Sequence, residues 1–483
     1  MDAIQTSTPG ANRLKKNTLG TAAVTFLVVS AAAPLTAVAG GVPLAMLLGN
    51  GAGIPGTFLL VTAILLIFAV GYVAMARHIR NAGAFYAYTA QGLGGALGGA
   101  AALIAILAYN AMQIGVFGMF GAATSGLLAS LGLTLPWWVF TFIGIAAVGV
   151  LGYRRVDFSA KLLTVLVILE YAVVLVIDAG ILFSGGDSGL TAVSFTAPAF
   201  FSGSPAIGIL FCFAAFIGFE ATTIYSEEAR EPHRTVPRAT YISVLIIGLF
   251  YMLTSWLMVM GEGADKLSAS LGGLADPTTF LFVLAERYVG QWIAPVMQVL
   301  FVTSLFAGVL AFHNGVARYI YVAGREKLLP ASVGVTHHVF QSPHVGSLVQ
   351  TAIATLVVAL FAYAGLDPVL ALFSWLTNVA TLAIIVLMAM TAFSILAFFR
   401  RNPGLESNPF STTILPVISG VILSVLVYFI AVNFGGLAGA EGVLAVFLPG
   451  LVLIAAVIGL LLSLRLKAAD PTAFARLGAG QEE

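Results

Sequence analysis

Apolar positions run almost unbroken along this chain. From Leu19 to Leu464, stretches of about twenty apolar residues follow one another, separated by short polar breaks. Each is long enough to cross a hydrocarbon core of roughly 30 Å as a helix. The pattern predicts twelve spans, at 20–48, 54–76, 95–128, 136–153, 162–184, 205–226, 238–260, 290–322, 346–364, 369–398, 413–434 and 443–464. Composition agrees. Hydrophobic residues make up 60% of the 483 and charged residues 8%, about a third of what a soluble protein carries. The expected class is an all-α membrane protein of about twelve helices. A net charge of +1 gives no basic balance that would point to nucleic acid, and a single cysteine, Cys212, excludes an intrachain disulfide framework. Residues 1–10 are polar, and the first apolar run is too long for a cleaved leader, so it is expected to stay as the first membrane helix.

Charge fixes an expected orientation. Twelve spans put both termini on one side. On that side fall Arg13, Lys15, Lys16, Arg77, Arg80, Arg154, Arg155, Lys161, Arg230, Arg234, Arg238, Arg318, Arg325, Lys327, Arg400, Arg401, Arg465, Lys467 and Arg476. Only Lys266 and Arg287, of 21 basic residues, fall on the other. Short cytoplasmic loops hold the Lys/Arg excess, so both termini are expected in the cytoplasm of a bacterial-type inner membrane. The longest outer segment, 261–287, carries Glu262, Asp265, Asp276 and Glu286; it reads either as a helical lid or as a solvated connector.

Two spans are expected to be broken. In the first, Pro34 sits mid-membrane after Ser30 and three alanines, with Gly40 and Gly41 beyond it. Proline removes a donor and clashes with the preceding turn, which predicts unwinding near 33–37 or a simple kink. In the sixth, Gly218, Glu220, Thr222 and Thr223 share the middle of an apolar run. Interrupted helices at matching positions of two halves point to a solute site near the midplane. Freed N–H groups would meet a carboxylate and freed carbonyls an ammonium, which suits a zwitterion.

Of the twenty acidic residues, Glu170 and Glu220 are placed deep in a span. An ionisable group at that depth is costly and by default functional. Each either carries a proton between the two sides or remains protonated as a tie between helices. Asp178, nearer the outer end of the fifth span, reads as interfacial.

Three ordered motifs then suggest a family. The run Asn81-Ala82-Gly83-Ala84-Phe85-Tyr86-Ala87-Tyr88 resembles the GGxYxY stretch after the second helix of the amino acid–polyamine–organocation permeases. The run from Ala215 through Ala239, AFIGFEATTIYSEEAREPHRTVPRA, is similar to their sixth-helix signature, and Asn314 through Arg318, Gly324, Arg325, Leu329 and Pro330 to their segment after helix eight. The resemblance implies a leucine-transporter-like 5+5 inverted repeat: a tail at 1–18, repeats at 19–184 and 205–398, peripheral helices at 413–464 and a tail at 465–483. It implies a secondary transporter and not an enzyme. By position, Ser30, Ala33, Pro34, Thr36 and Ala37 match the first unwound region, and Phe216, Gly218, Glu220 and Thr222 the sixth-helix one. Tyr109, Asn110 and Gln113 are expected to face the site from helix three, and Ser374, Trp375 and Asn378 from helix ten.

The chain also departs from the family. Pro34, Leu35 and Thr36 stand where a glycine-rich turn is common, and Ala214 where an aromatic gate is common, leaving Phe213 or Phe216 to substitute. Glu170 takes the place in helix five where proton-coupled members carry a lysine, with Thr303 and Ser304 expected beside it as coupling groups. Proton coupling is favoured and sodium stays open, because no oxygen-rich cage is visible. The mixed-charge loop of Glu227, Glu228, Arg230, Arg234 and Arg238 reads as an inner gate or as topology-setting charge. The expected substrate is an amino acid taken up across the plasma membrane. An exchanger, an amine or polyamine carrier and a sodium symporter remain alternatives. No metal-ligand spacing, nucleophile motif, cofactor signature or obligate protein partner is evident, and His337 and His338 read as solvated loop residues.

Overall fold

The computed structural model describes residues 19–79, 83–154, 160–224, 229–438 and 442–479. Arg13, Lys15, Lys16, Arg80, Arg155, Asn81, Ala82, Glu227 and Glu228 lie outside them, as do the side chains of Ser30 and Lys161. Regular structure among the described residues is helical. The helices are α1 (Thr21–Ala31), α2 (Val42–Leu48), α3 (Ile54–Ala76), α4 (Phe85–Leu93), α5 (Gly95–Ser130), α6 (Trp137–Arg154), α7 (Ala160–Ser184), α8 (Ala197–Phe200), α9 (Pro205–Ala214), α10 (Ala221–Ile224), α11 (Pro232–Glu262), α12 (Leu267–Gly273), α13 (Phe280–Tyr288), α14 (Ile293–Arg325), α15 (His344–Tyr363), α16 (Ser374–Arg401), α17 (Leu415–Ala438), α18 (Val443–Ala469) and α19 (Pro471–Ala475).

Among the described residues, ten uninterrupted helices are long and apolar enough to cross a bilayer, including α3, α5, α11, α14 and α16. The first and sixth predicted spans are each present in two pieces, α1 with α2 and α9 with α10. All twelve predicted spans therefore have a counterpart, and the chain is a multi-pass membrane protein. Helix α5 is the axle of the bundle: 83% of its most apolar stretch is buried, against 28% for α17 and 22% for α18. These last two helices are peripheral and offer their apolar faces to lipid.

Small residues set the closest helix contacts, as they do where lipid removes the hydrophobic drive between helices. Gly459 of α18 lies on the main chain of Gly99 and Ala100 in α5. A Cβ on Gly459 would overlap the Gly99 carbonyl and stand 2.8 Å from the Ala100 Cα. Gly459→Leu is therefore expected to lower the thermal midpoint in detergent by a few degrees, from about 1–3 kcal/mol of overpacking. Uptake per folded molecule should be kept, and an unchanged midpoint would show that α18 moves aside freely.

The segment 261–287 folds as two helices, α12 and α13, bent 119° from each other. They pack over the far end of the first broken helix. Glu262 holds this hairpin by accepting bonds from Ser270 and, at 2.8 Å, from Arg287. At its rim, the hydrogen bond from Lys266 keeps the Asp187 carboxyl below its usual range. On the side of the termini, Leu19 bridges to Ala229 and its carbonyl accepts the Arg230 N–H at 2.7 Å. Arg234 of the mixed-charge loop pairs with Glu231 at 3.4 Å, both well exposed. The carboxyl of Glu326 accepts from the Tyr86 hydroxyl and, at 2.8 Å, from the Gly478 N–H, seating the end of the chain against α4.

Candidate functional site

The first break follows from Pro34. Its ring forces the preceding residue out of the α region. Residues 32 and 33 leave the helix, and Ala33 adopts φ +43°. The chain re-enters helical geometry as a π-helical turn over Thr36–Gly41 before α2. Unwinding is thus confined to two residues; Thr36 and Ala37 sit in the wide turn rather than in an open stretch, which corrects the expected 33–37. Three ties hold this geometry. The Glu170 Oε2 accepts the Leu35 N–H at 3.3 Å and the Ser304 hydroxyl at 2.8 Å. The Thr36 hydroxyl donates to the Ser304 oxygen at 3.0 Å. The Tyr251 hydroxyl donates to the freed Ala32 carbonyl at 3.1 Å. Glu170 is thus bonded to the main chain of the broken helix, from a different span.

The second break spans residues 215–220, where Gly218 takes φ +115°, a region that side chains avoid. Glu220 closes its own loop: its Oε2 accepts the Gly218 N–H at 2.9 Å. Its Oε1 accepts the hydroxyl of Tyr109, whose ring stacks on Tyr319 of α14 at 5.2 Å. Tyr72 donates to the Glu220 carbonyl at 3.2 Å and lies 2.6 Å from the Thr223 hydroxyl. Glu220 therefore ties the broken sixth helix to α5 and α3. Tyr109→Phe removes the tie to α5 and is expected to weaken that closure by about 1–3 kcal/mol. The measurement is labelling of a single cysteine placed at Gly308, which should speed up roughly tenfold from the side of the termini. Unchanged labelling would leave Tyr109 a packing residue.

Between the two breaks lies a narrow cavity of about 60 Å³. Ala33, Thr36 and Ala37 line it from the first broken helix, and Ala215 and Ile217 from the sixth. Met112 and Val116 of α5, Gly308 and Phe312 of α14, and Phe373 and Thr377 of α16 complete the main walls. Thr36 and Thr377 supply its polar side chains, and Thr377 gives its proton to the Phe373 carbonyl at 2.7 Å.

Several expected residues fall elsewhere. Phe216 packs on Phe58 and Tyr251, and Phe213 is buried; neither lines the cavity. Pro34 shapes the break without facing the cavity. Asn110 donates to the Ile106 carbonyl of its own helix at 2.8 Å. Gln113 turns away toward the Val309 carbonyl and His313, and accepts from Gln350. Thr222 bonds Thr240 at 2.8 Å, and Thr303 donates to the Leu300 carbonyl at 2.9 Å. Ser374 and Asn378 are buried outside the wall, and Trp375 packs on Phe361. Asp178, expected at the interface, is 4% exposed and bonded to Thr254. His313 joins Gln113 to Ser347 at 2.7 Å, a polar network inside the bundle. His313 and Gln350 stand inside predicted apolar spans, and that placement is the signal that could have found them.

Twelve spans, with the first and sixth broken around one cavity, define a secondary transporter of the leucine-transporter-like fold. Solved structures agree on that fold: a manganese transporter of Eremococcus coleocola superimposes with a TM-score of 0.57 over 98% of this chain and 99% of its own, at 17% identity. Residues 19–460 match the amino acid permease family, and the chain belongs to it. Its relatives include the low-affinity putrescine importer PlaP of Escherichia coli K12, 25% identical over 63% of this chain and 67% of that one. They also include the branched-chain amino acid permease BcaP of Bacillus subtilis, 24% identical over 80% of this chain and 81% of its own.

Proposed function

We propose that this permease imports a neutral amino acid with an apolar side chain by alternating access, driven by a proton taken up on Glu170. The observation that carries the proposal is the pair of hydrogen bonds that one Glu170 oxygen accepts, from the Leu35 N–H and the Ser304 hydroxyl. It places a titratable group where its charge state acts on the geometry of the first break. Ionised, the carboxylate holds the Leu35 N–H and the Ser304 hydroxyl as charge-assisted bonds; protonated, it holds them more weakly. The first broken helix is then free to rock against α14. On the other side of the cavity, the bond between Tyr109 and Glu220 must part for the side of the termini to open.

The wall chemistry supports the substrate class. Met112, Val116, Phe312 and Ile217 offer apolar surface to a side chain, while the breaks offer main-chain groups to the α-amino and α-carboxyl ends. A diamine such as the substrate of PlaP would bring two positive charges into a wall to which the described residues contribute no carboxylate, and that desolvation is costly. BcaP transports substrates whose side chains would suit this wall. For sodium, the oxygen side chains meeting beside the first break are Glu170, Ser304 and Thr36, a thin shell for a bare cation. With the basic excess placed inside, both termini lie in the cytoplasm of a bacterial plasma membrane.

Uptake into proteoliposomes tests the reading. Labelled valine, leucine, phenylalanine and putrescine are offered under an imposed proton or sodium gradient. Accumulation of the aliphatic amino acids with the proton gradient alone is expected. Accumulation of putrescine in preference, or of any substrate with sodium alone, would overturn it.

A further inference from the structure

Helix α7 carries a second buried carboxyl, Asp178, eight residues beyond Glu170 and so about 12 Å further toward the side opposite the termini. It is 4% exposed. Its Oδ2 accepts the Thr254 hydroxyl of α11 at 2.7 Å, and its Oδ1 is buried with no hydrogen-bond partner. An unpaired carboxylate in such surroundings costs several kcal/mol, and a proton removes that cost. Among the described residues, the elements packed against α7 place no basic side chain in hydrogen-bond contact with Asp178; the arginines of α11 stand at its other end. From α11 it meets Thr254. On α13, Arg287 is bonded to Glu262, and the Tyr288 hydroxyl is given to the Gly261 carbonyl. Helix α1 and the first twenty residues of α14 contain no ionisable side chain.

Further hydroxyls stand along the seam between α7 and α11, among buried apolar residues such as Val174 and Ile177. One turn along α11 from Thr254 stands Tyr251, whose hydroxyl reaches the Ala32 carbonyl at the first break. Across the seam, Tyr171 packs on Phe250 at 4.5 Å, and its buried hydroxyl has no partner either. Tyr171 is the neighbour of Glu170 in sequence. Four polar groups, the unpartnered Asp178 Oδ1 and Tyr171 hydroxyl with the hydroxyls of Thr254 and Tyr251, therefore mark one interface that leads from the far third of the bundle to the broken helix, inside otherwise apolar helices. Orphaned buried polar groups call for a functional account.

We propose that Asp178 is a proton-binding station, the point at which a proton from the side opposite the termini enters before it reaches Glu170. The proposal rests on the reading of Glu170 as the coupling group. A proton from solvent binds the Asp178 carboxylate and passes along the seam through hydroxyl groups and water. It ends on the Glu170 carboxylate, and Asp178, ionised again, is reloaded from solvent. No charge is created or lost in the relay.

The test is proton influx in proteoliposomes, followed with an entrapped pH dye, together with substrate exchange at equal pH. Asp178→Asn is expected to slow substrate-dependent proton influx about tenfold while exchange stays within about twofold. Asp178→Glu should restore most of the influx and shift its dependence on external pH. Wild-type influx in Asp178→Asn, with Glu170→Gln inactive for influx, would overturn this proposal and leave the coupling role of Glu170 standing. Influx that persists in Glu170→Gln would overturn the coupling reading itself. If Asp178→Asn lowers the thermal midpoint, Thr254→Val decides. It removes the same interhelix bond and keeps the carboxyl, so normal influx in Thr254→Val supports the station and an equal loss makes Asp178 a packing tie.

Discussion

Glu170→Gln is expected to cut proton-driven accumulation by about tenfold or more while leaving exchange of substrate for substrate within about threefold. The amide keeps the size of the side chain. Its oxygen can still accept from the Leu35 N–H and the Ser304 hydroxyl, which both bond one Glu170 oxygen in the native site. The break in the first helix is therefore kept, and with it the cavity between Ala33, Thr36 and Gly308. What the amide loses is the capacity to take and release a proton. Exchange returns the carrier across the membrane loaded in both directions and needs no net proton movement; accumulation does. Counterflow and gradient-driven uptake on the same vesicles separate the two. Equal loss of both would make Glu170 a structural tie between α7, α14 and the first broken helix, and would move the coupling role elsewhere.

Substitution of Gly218 should do more damage. Gly218→Leu is expected to abolish substrate binding, read as loss of the ligand-induced rise in thermal midpoint. The φ of +115° lies where a β-carbon costs about 1–3 kcal/mol, so the loop would leave this conformation. When it does, the Gly218 N–H no longer meets Glu220 Oε2, and the neighbouring Ile217 and Ala215 lose their places in the cavity wall. Gly218→Ala brings the same backbone strain without the bulk. Weaker binding in Gly218→Ala and none in Gly218→Leu would place the effect in the main chain of the break. Unchanged affinity in both would remove this turn from the site.

The two substitutions probe different links. In the proposed cycle Glu170 takes the driving proton from behind the first helix, whereas Gly218 shapes the turn whose neighbours line the cavity. Tyr109 joins them to a third link, closure toward the termini, because its hydroxyl is bonded to the carboxyl that caps the Gly218 turn. A pattern in which Glu170→Gln loses drive, Gly218→Leu loses binding and Tyr109→Phe opens one side faster would assign the parts of the cycle to separate residues.

The sequence by itself determined the membrane class, the number of spans and both interrupted helices. The reason is that a bilayer demands about twenty apolar residues per crossing and internally satisfied backbone, so an embedded Pro34 or Gly218 stands out without any knowledge of neighbours. It also marked Glu170 and Ser304, since a polar group inside an apolar run is visible in one dimension. Which side chains face the cavity was decided only by tertiary structure. Tyr109, Asn110 and Gln113 were expected to face it from α5, but Met112 and Val116 do; Tyr109 shares their helix face but lies nearer the termini, on Glu220, while Asn110 is turned about 100° away from Tyr109. In a helix buried all round, every face is apolar, so no periodicity fixes the rotation; packing against α14 and α16 does. The same holds for Asp178. Its depth along α7 could be read from the chain, but its burial depends on α11 laying Thr254 beside it, a contact between residues 76 positions apart.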